Sequence, residues 1–363
     1  MNYSDKHVVF VTGSLTGGGA EKVISILASQ CAEMGADVDM VILRERKRAF
    51  ALSDKVKCHQ LHSKWKSMQV IDRILQLRRI LREKEKCTII PFLPIITLYV
   101  LIANIGLGHR VVTSERADPR RSIFAKGCAM KDRIGSFLMR RLGLYGLCDH
   151  MVFQTPDAQA CYGRWIRKKS SLIPNPLDTT VLPEPCGARE KWVVAAGRLS
   201  EEKNFPMLLR GFAAFYQMYP EYRLTIFGEG KQRAELEALV KELGLDGCVD
   251  MPGFVDHLSQ RIARAGIYVS TSNHEGISNS MIEALGMGIP AVVTDCPVGG
   301  ARMFVHTDEN GILIPVEDQQ AFVNALCRIA SDEAYAKRLS QGAAELRKEL
   351  AAEQICRQWL ALV

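Results

Sequence analysis

Short apolar runs of strand length alternate with helix-period stretches along nearly the whole chain, and this alternation restricts the fold more than any other feature. Strand, helix, strand in repetition is the pattern of parallel sheets covered by helices. In the first series the strands fall at His7–Thr12, Val38–Leu43, Thr88–Phe92, Arg110–Thr113 and His150–Gln154. Helical patterns lie at Ala20–Met34, Val70–Arg82, Ile95–Ile105 and Ile134–Leu142. The second series has strands at Trp192–Ala196, Arg223–Phe227, Val249–Met251, Ile267–Ser270 and Ala291–Thr294. Its helices are Pro206–Tyr216, Lys231–Leu243, Leu258–Ala265, Ser280–Met287 and Asp318–Ala330, and a last one covers Ala351–Leu362. Four prolines and a glycine between Ile173 and Gly187 disfavour helix or central strand and mark a junction. The expectation is therefore α/β, with two Rossmann-like doubly wound parallel-sheet domains facing across a cleft. The domains are residues 1–172 and 191–345, the linker is 173–190, and a closing helix within 346–363 packs back on the first domain. A chain of 363 residues is about twice a typical domain, which agrees.

Composition enters where it excludes something. Cys87–Gly108 is uncharged and long enough to span a bilayer, but Pro91 and Pro94 divide it into a strand and a buried helix. The apolar run His7–Thr12 is too short, and too soon followed by glycine, for a signal peptide. Eleven cysteines without a CxxC pair read as reduced, intracellular thiols, and His59 with His62 has no nearby third metal ligand. Charge is divided between the halves. Residues 1–180 carry 29 basic and 16 acidic side chains, net +13, whereas 181–363 carry 18 and 24, net −6. The basic half favours an anionic partner.

Three stretches carry chemistry. The turn Thr12-Gly-Ser-Leu-Thr-Gly17-Gly18-Gly19 joins a strand to a helix, so bare backbone N–H groups can approach an anion. It matches neither a P-loop nor a dinucleotide fingerprint, and a ligand-free tight turn is the alternative. The second turn, Gly197-Arg198-Leu-Ser-Glu-Glu-Lys203-Asn204, sets two cations ahead of a helix with Asn204 as its N-cap. Arg and Lys suit a diphosphate, unless they pair with Glu201 and Glu202 in a solvated loop. The third stretch, His274-Glu275-Gly276-Ile277-Ser278-Asn279-Ser280-Met-Ile-Glu283, puts a carboxylate at a strand end, then a helix N-terminus, then a second carboxylate. Helical rise limits their separation to about 12 Å. Carboxylates accept hydrogen bonds from sugar hydroxyls, and the helix start seats phosphate. Two unrelated surface glutamates are the alternative.

This third stretch resembles the Glu-x7-Glu signature of retaining glycosyltransferases of the GT-B fold, family 4. Gly17-Gly-Gly-Ala-Glu-Lys-Val, Ile173-Pro-Asn-Pro, Gly197-Arg-Leu-Ser-x-x-Lys-Asn and Asp295-Cys-Pro-Val-Gly-Gly resemble further elements in family order, over essentially the whole chain. The resemblance implies that Arg198 and Lys203 hold a donor diphosphate, that Glu275 contacts the donor sugar and that Glu283 binds the ribose. It also implies donor contacts from Gly17, Gly18, Gly197, Gly276, Ile277, Ser278 and Asn279, and main-chain contacts to the base near Gly228, Phe254 and Val255. The resemblance further implies transfer with retention, without metal or cofactor, in which Glu275 is not a nucleophile. Where many relatives carry a histidine, this chain reads Ser114-Glu115-Arg116, a variant resembling transferases of bacterial surface-glycan pathways. Glu115 or Arg116 then meets donor or acceptor.

The implied partners are a nucleotide-sugar, taken as a UDP-sugar, and a glycan acceptor carried on polyprenyl diphosphate. A soluble acceptor, a non-transferring nucleotide-sugar-binding protein and an epimerase of the same fold are the other readings. Cations interleave with apolar residues at Arg44–Arg48, Lys64-Trp-Lys66, Arg73–Lys86 and Arg116–Arg141. Such stretches suit an anionic membrane surface, although ordinary core packing gives the same pattern. The expected location is cytoplasmic, peripheral on the inner membrane face, and no nucleic-acid module is visible.

Overall fold

The computed structural model describes residues 3–44, 49–63, 68–116, 118–120 and 130–363, apart from the side chains at 131 and 132. The basic stretches at 45–48 and 64–66, and residues 121–129 of Arg116–Arg141, lie outside these residues. Contacts divide the chain into Met1–Pro176 with Ala352–Val363, and Leu177–Ala351.

The first unit is built on seven parallel strands: β1 (His7–Thr12), β2 (Asp37–Ile42), β3 (Lys57–Gln60), β4 (Thr88–Pro91), β5 (Arg110–Glu115), β6 (His150–Phe153) and β7 (Ser170–Leu172). Their order is β3-β2-β1-β4-β5-β6-β7, so the topology reverses between β1 and β4. Val8–Val11 and Ile89–Ile90 are almost fully buried, as central strands covered on both faces require. The uncharged stretch resolves into β4 and a helix at Pro94–Ala103, with Pro94 in the first turn where it loses no hydrogen bond. No helix among the described residues is long and apolar enough to cross a membrane. The pattern expected as Ile134–Leu142 is an α-helix at Met130–Ser136 that widens into a π-type turn at Phe137–Arg141. The last helix, Ala352–Leu360, packs on Gly19–Glu33, where Cys356 Sγ points to the Leu27 carbonyl at 3.7 Å.

The second unit has six parallel strands: β8 (Trp192–Ala196), β9 (Arg223–Phe227), β10 (Val249–Gly253), β11 (Ile267–Ser270), β12 (Ala291–Thr294) and β13 (Gly311–Ile314), in the order β10-β9-β8-β11-β12-β13. The reversal falls between β8 and β11, and the ends of those two strands bear the residues singled out above. Phe212, Phe215, Phe322 and Leu339 are fully buried in its core. A helix at Glu333–Glu349, absent from the expectation, supplies Tyr335, Leu339, Ala343 and Leu346. A Cβ on Gly342 would stand 2.2 Å from the Glu309 carbonyl, so this helix passes close to a neighbouring backbone. The proline-rich junction is packed. Arg347 donates to the carbonyls of Thr179, Leu182 and Pro183 and to Glu184, while Leu177 and Leu182 are buried.

Candidate active site

In the second unit the candidate residues gather at the carboxyl ends of β8 and β11. Chain direction explains why. Parallel strands all leave their loops at one edge, and the neighbours at a topological reversal send theirs apart, which opens a crevice.

The β8 loop is held by backbone close approach. Gly197 N donates to the Phe227 carbonyl at 2.9 Å, and Gly228 N to that of Gly253 at 2.8 Å. Gly228 has a φ of 140°, and a Cβ there would lie 1.9 Å from the Gly197 oxygen, so glycine is required twice over. Gly197 leaves room for the Lys203 side chain, whose Cε would be 3.1 Å from a Cβ at this position. A 3-10 turn at Glu201–Lys203 leads to Asn204, left-handed at φ 47°, which caps Phe205–Met218 through the Met207 amide. The β11 loop is sewn to this turn. Thr271 Oγ1 donates to the Lys203 and Asn204 carbonyls at 3.1 and 3.0 Å, Asn273 N donates to the Glu202 carbonyl, and Asn204 Nδ2 to Asn273 Oδ1.

Across this seam Lys203 Nζ is ion-paired with Glu275 Oε2. The ammonium is deeply buried, which by itself lowers its pKa, but the Glu275 carboxylate outweighs burial and holds it above the ordinary lysine value. Glu201 and Glu202, the partners a solvated loop would have used, are not the acceptors of this bond. Arg198 is exposed.

Glu275 is fixed from behind by Asp295-Cys-Pro-Val-Gly-Gly. Its amide donates to the Pro297 carbonyl at 2.9 Å, and its carbonyl accepts from Val298 N at 3.1 Å. A Cβ on Gly300 would sit 1.9 Å from the Gly276 oxygen. A pocket lined by Ser270, Ser272, Glu275, Gly276, Ser278 and Thr294 also contains Cys296. Burial and the nearby Glu275 charge push that thiol up to about 11, so it stays protonated and unreactive at neutral pH. Ser278 caps the helix Asn279–Gly286 by accepting from Met281 N. Ser280 Oγ bonds the buried Tyr268 hydroxyl at 2.8 Å and lies 3.1 Å from Ser278 Oγ. Ile277 and Glu283 are buried, Gly276 and Asn279 half-buried. Phe254, at the end of β10, is 58% exposed beside half-buried Val255.

In the first unit Gly17 and Gly18 do present their amides inward, but a side chain already fills the cradle. Glu21 accepts from Thr16 N at 2.7 Å, Gly17 N at 3.1 Å, Gly18 N at 3.2 Å and Ser14 Oγ at 2.5 Å. A glutamate three residues after an N-cap is a capping-box signal, legible in the sequence but missed there. Glu115 is 2% exposed, and its carboxylate accepts from Arg140 Nε and Nη2 and from the Tyr162 hydroxyl at 2.7 Å. Arg116 turns the other way, toward Asn175 and two aromatic rings.

Two parallel sheets in these strand orders define the GT-B class, and solved structures agree in fold. Sucrose-phosphate synthase of Thermosynechococcus elongatus superposes with a TM-score of 0.81 at 21% identity, over 98% of each chain. HepE of Anabaena, in complex with UDP and glucose, gives 0.80 at 17% identity, again over 98% of each. Residues 185–346 match the family described as Glycosyl transferases group 1, so this part of the chain carries that domain. A Campylobacter jejuni relative is 26% identical over 98% of both chains. Its name is GalNAc-alpha-(1->4)-GalNAc-alpha-(1->3)-diNAcBac-PP-undecaprenol alpha-1,4-N-acetyl-D-galactosaminyltransferase. The lipopolysaccharide core biosynthesis glycosyltransferase LpsE of Rhizobium meliloti is 24% identical over 89% of each.

Proposed function

We propose that this glycosyltransferase moves a sugar, with retention, from a UDP-sugar to a hydroxyl of a polyprenyl-diphosphate-linked glycan in bacterial surface-glycan synthesis. The observation that carries the reading is the Lys203–Glu275 pair, formed where the two strands of the reversal end. A cation beside a carboxylate at that edge serves a donor with a diphosphate at one end and a sugar at the other. Arg198 and Lys203 stabilise the charge that develops on the leaving diphosphate, a preorganised electrostatic effect. Glu275 receives a hydroxyl of the transferred sugar, and Glu283 the ribose. The amides at the start of Asn279–Gly286 add donors to the phosphates. The acceptor hydroxyl attacks from the leaving-group side and gives its proton to the departing phosphate, so no protein nucleophile is required.

The acceptor class is supported by the Campylobacter relative, whose name specifies a glycan on diphospho-undecaprenol. A membrane-facing surface is supported by the helix Gln69–Arg82, where Val70, Ile71 and Leu75 are exposed just after exposed Met68, and Arg79 and Arg82 follow. Arg78 serves another purpose: it donates to the Ala103 and Ile105 carbonyls and closes a neighbouring helix. Flotation with anionic liposomes tests the surface. Neutralising Arg79 and Arg82 should reduce binding, and unchanged binding would remove this helix from the reading. The function itself is tested by turnover of UDP-sugars with a lipid-diphosphate glycan, followed by the anomeric configuration of the product.

A further inference from the structure

Four neighbouring strands of the first sheet send residues to one place. Phe92 follows β4, Arg116 follows β5, Gln154 follows β6, and Asn175 lies just beyond β7. The Arg116 guanidinium stands 4.3 Å from the centroid of the Phe92 ring and 5.8 Å from that of Trp359, and those two rings are 5.8 Å apart. Its Nη1 donates to Asn175 Oδ1 at 2.6 Å, an oxygen that also accepts from Gln154 Nε2. Among the described residues, Nε and Nη2 of Arg116 are buried with no partner, and so is Nε1 of the fully buried Trp359.

Among the described residues this cluster has three unused donors and a charge without a counter-ion. Glu115, the adjacent acid, is committed to Arg140 and Tyr162. Burial pulls Arg116 down to about 9, which leaves it a cation at neutral pH. A buried cation without counter-charge is costly, and so is each buried donor without an acceptor. Water would supply acceptors but no charge. An oxyanion supplies both, and the Nε–Nη2 edge of a guanidinium matches two of its oxygens. The cluster also lies at the carboxyl edge of the sheet, where ligands of doubly wound folds bind.

We propose that Arg116, Trp359 and Asn175 frame a binding site for an oxyanion of the phosphate or carboxylate class, gripped by Nε and Nη2 of Arg116 and by Trp359 Nε1. Which molecule brings that group rests on the reading above: the lipid-diphosphate acceptor is one source and free phosphate the other.

The test uses the full chain labelled with 15N, titrated with inorganic phosphate while its indole N–H signals are followed. Trp359→Phe identifies the Trp359 signal. That signal should move saturably, with affinity about tenfold or more weaker in Arg116→Gln. Should Arg116→Gln not fold, Arg116→Lys, which keeps the charge and loses the fork, should weaken binding about threefold or more. A Trp359 signal that stays still as phosphate saturates the donor unit, or that moves equally in the Arg116 variants, overturns the proposal. In a second arm the lipid-diphosphate glycan replaces phosphate. If it moves the same signal and phosphate competes, the oxyanion is the acceptor's. If phosphate alone moves it, the site takes a free anion. Both results uphold the site. Neither arm needs turnover, so a failed transfer assay would count against the proposed function and not against this site.

Discussion

The two strand–glycine–helix turns that follow the first strand of each sheet differ in what they leave available. At Gly17-Gly18 the amides close on Glu21 of the same helix, so the anion seat is occupied from within. At Gly197 the turn is fixed by other backbones, and its cations are left for other uses: Lys203 reaches Glu275 from the next loop, and Arg198 faces solvent. The lesson is that a strand–glycine–helix turn announces a possible anion seat, while the residue at the third helical position decides whether it stays open.

The comparison can be broken most sharply at Glu275. Glu275→Ala should lower kcat/KM by about a thousandfold or more, with Lys203→Ala losing about a hundredfold, because each removes charge placed at the reacting end. Steady-state kinetics measures both. In the first unit Glu115→Gln should cost about 3 kcal/mol of stability, since Arg140 then loses its buried counter-charge. Urea unfolding reads that loss, and the folded fraction should keep its KM for donor. Gly228→Ala, with a left-handed φ and no room for a Cβ, should cost about 2–3 kcal/mol and displace Lys203. Glu21→Ala should cost only about 1–2 kcal/mol and leave kcat nearly unchanged, as loss of a cap does. A large fall in kcat there would show that the two turns are equal partners after all.

The smallest effect is with pH. Lys203 in the folded chain titrates above the ordinary lysine value of 10.5, so its contribution is complete below that value and fades only as pH rises beyond it. The stability gap between the parent and Lys203→Met should therefore be flat from neutral to mildly alkaline pH, checked by melting at several pH values.

Much of the architecture was legible because buried parallel strands read as apolar runs. The strands that escaped lack that signal. Lys57-Cys-His-Gln60 and Ser170-Ser-Leu172 are edge strands, half-exposed and mostly polar. Gly311-Ile-Leu-Ile314 is apolar but opens on glycine after asparagine, which reads as a turn. The helix Glu333–Glu349 hides an apolar stripe in a charged sequence interrupted by Gly342. At the site, Asn204 as an N-cap could be read locally. The contact between Lys203 and Glu275 could not, because it joins positions 72 residues apart, brought together only by the β8–β11 reversal. Trp359 beside Arg116 is hidden too, because a helix expected to pack back on the first unit does not announce which of its side chains meets which strand end.

In the proposed function the Lys203–Glu275 seam serves retaining transfer from a nucleotide-sugar. It is tested most directly by NMR of the product formed from a UDP-sugar and a lipid-diphosphate glycan. An α-linked product is expected from an α-linked donor, formed by the parent chain and reduced about a thousandfold in Glu275→Ala. A β-linked product, or full transfer by Glu275→Ala, would contradict it.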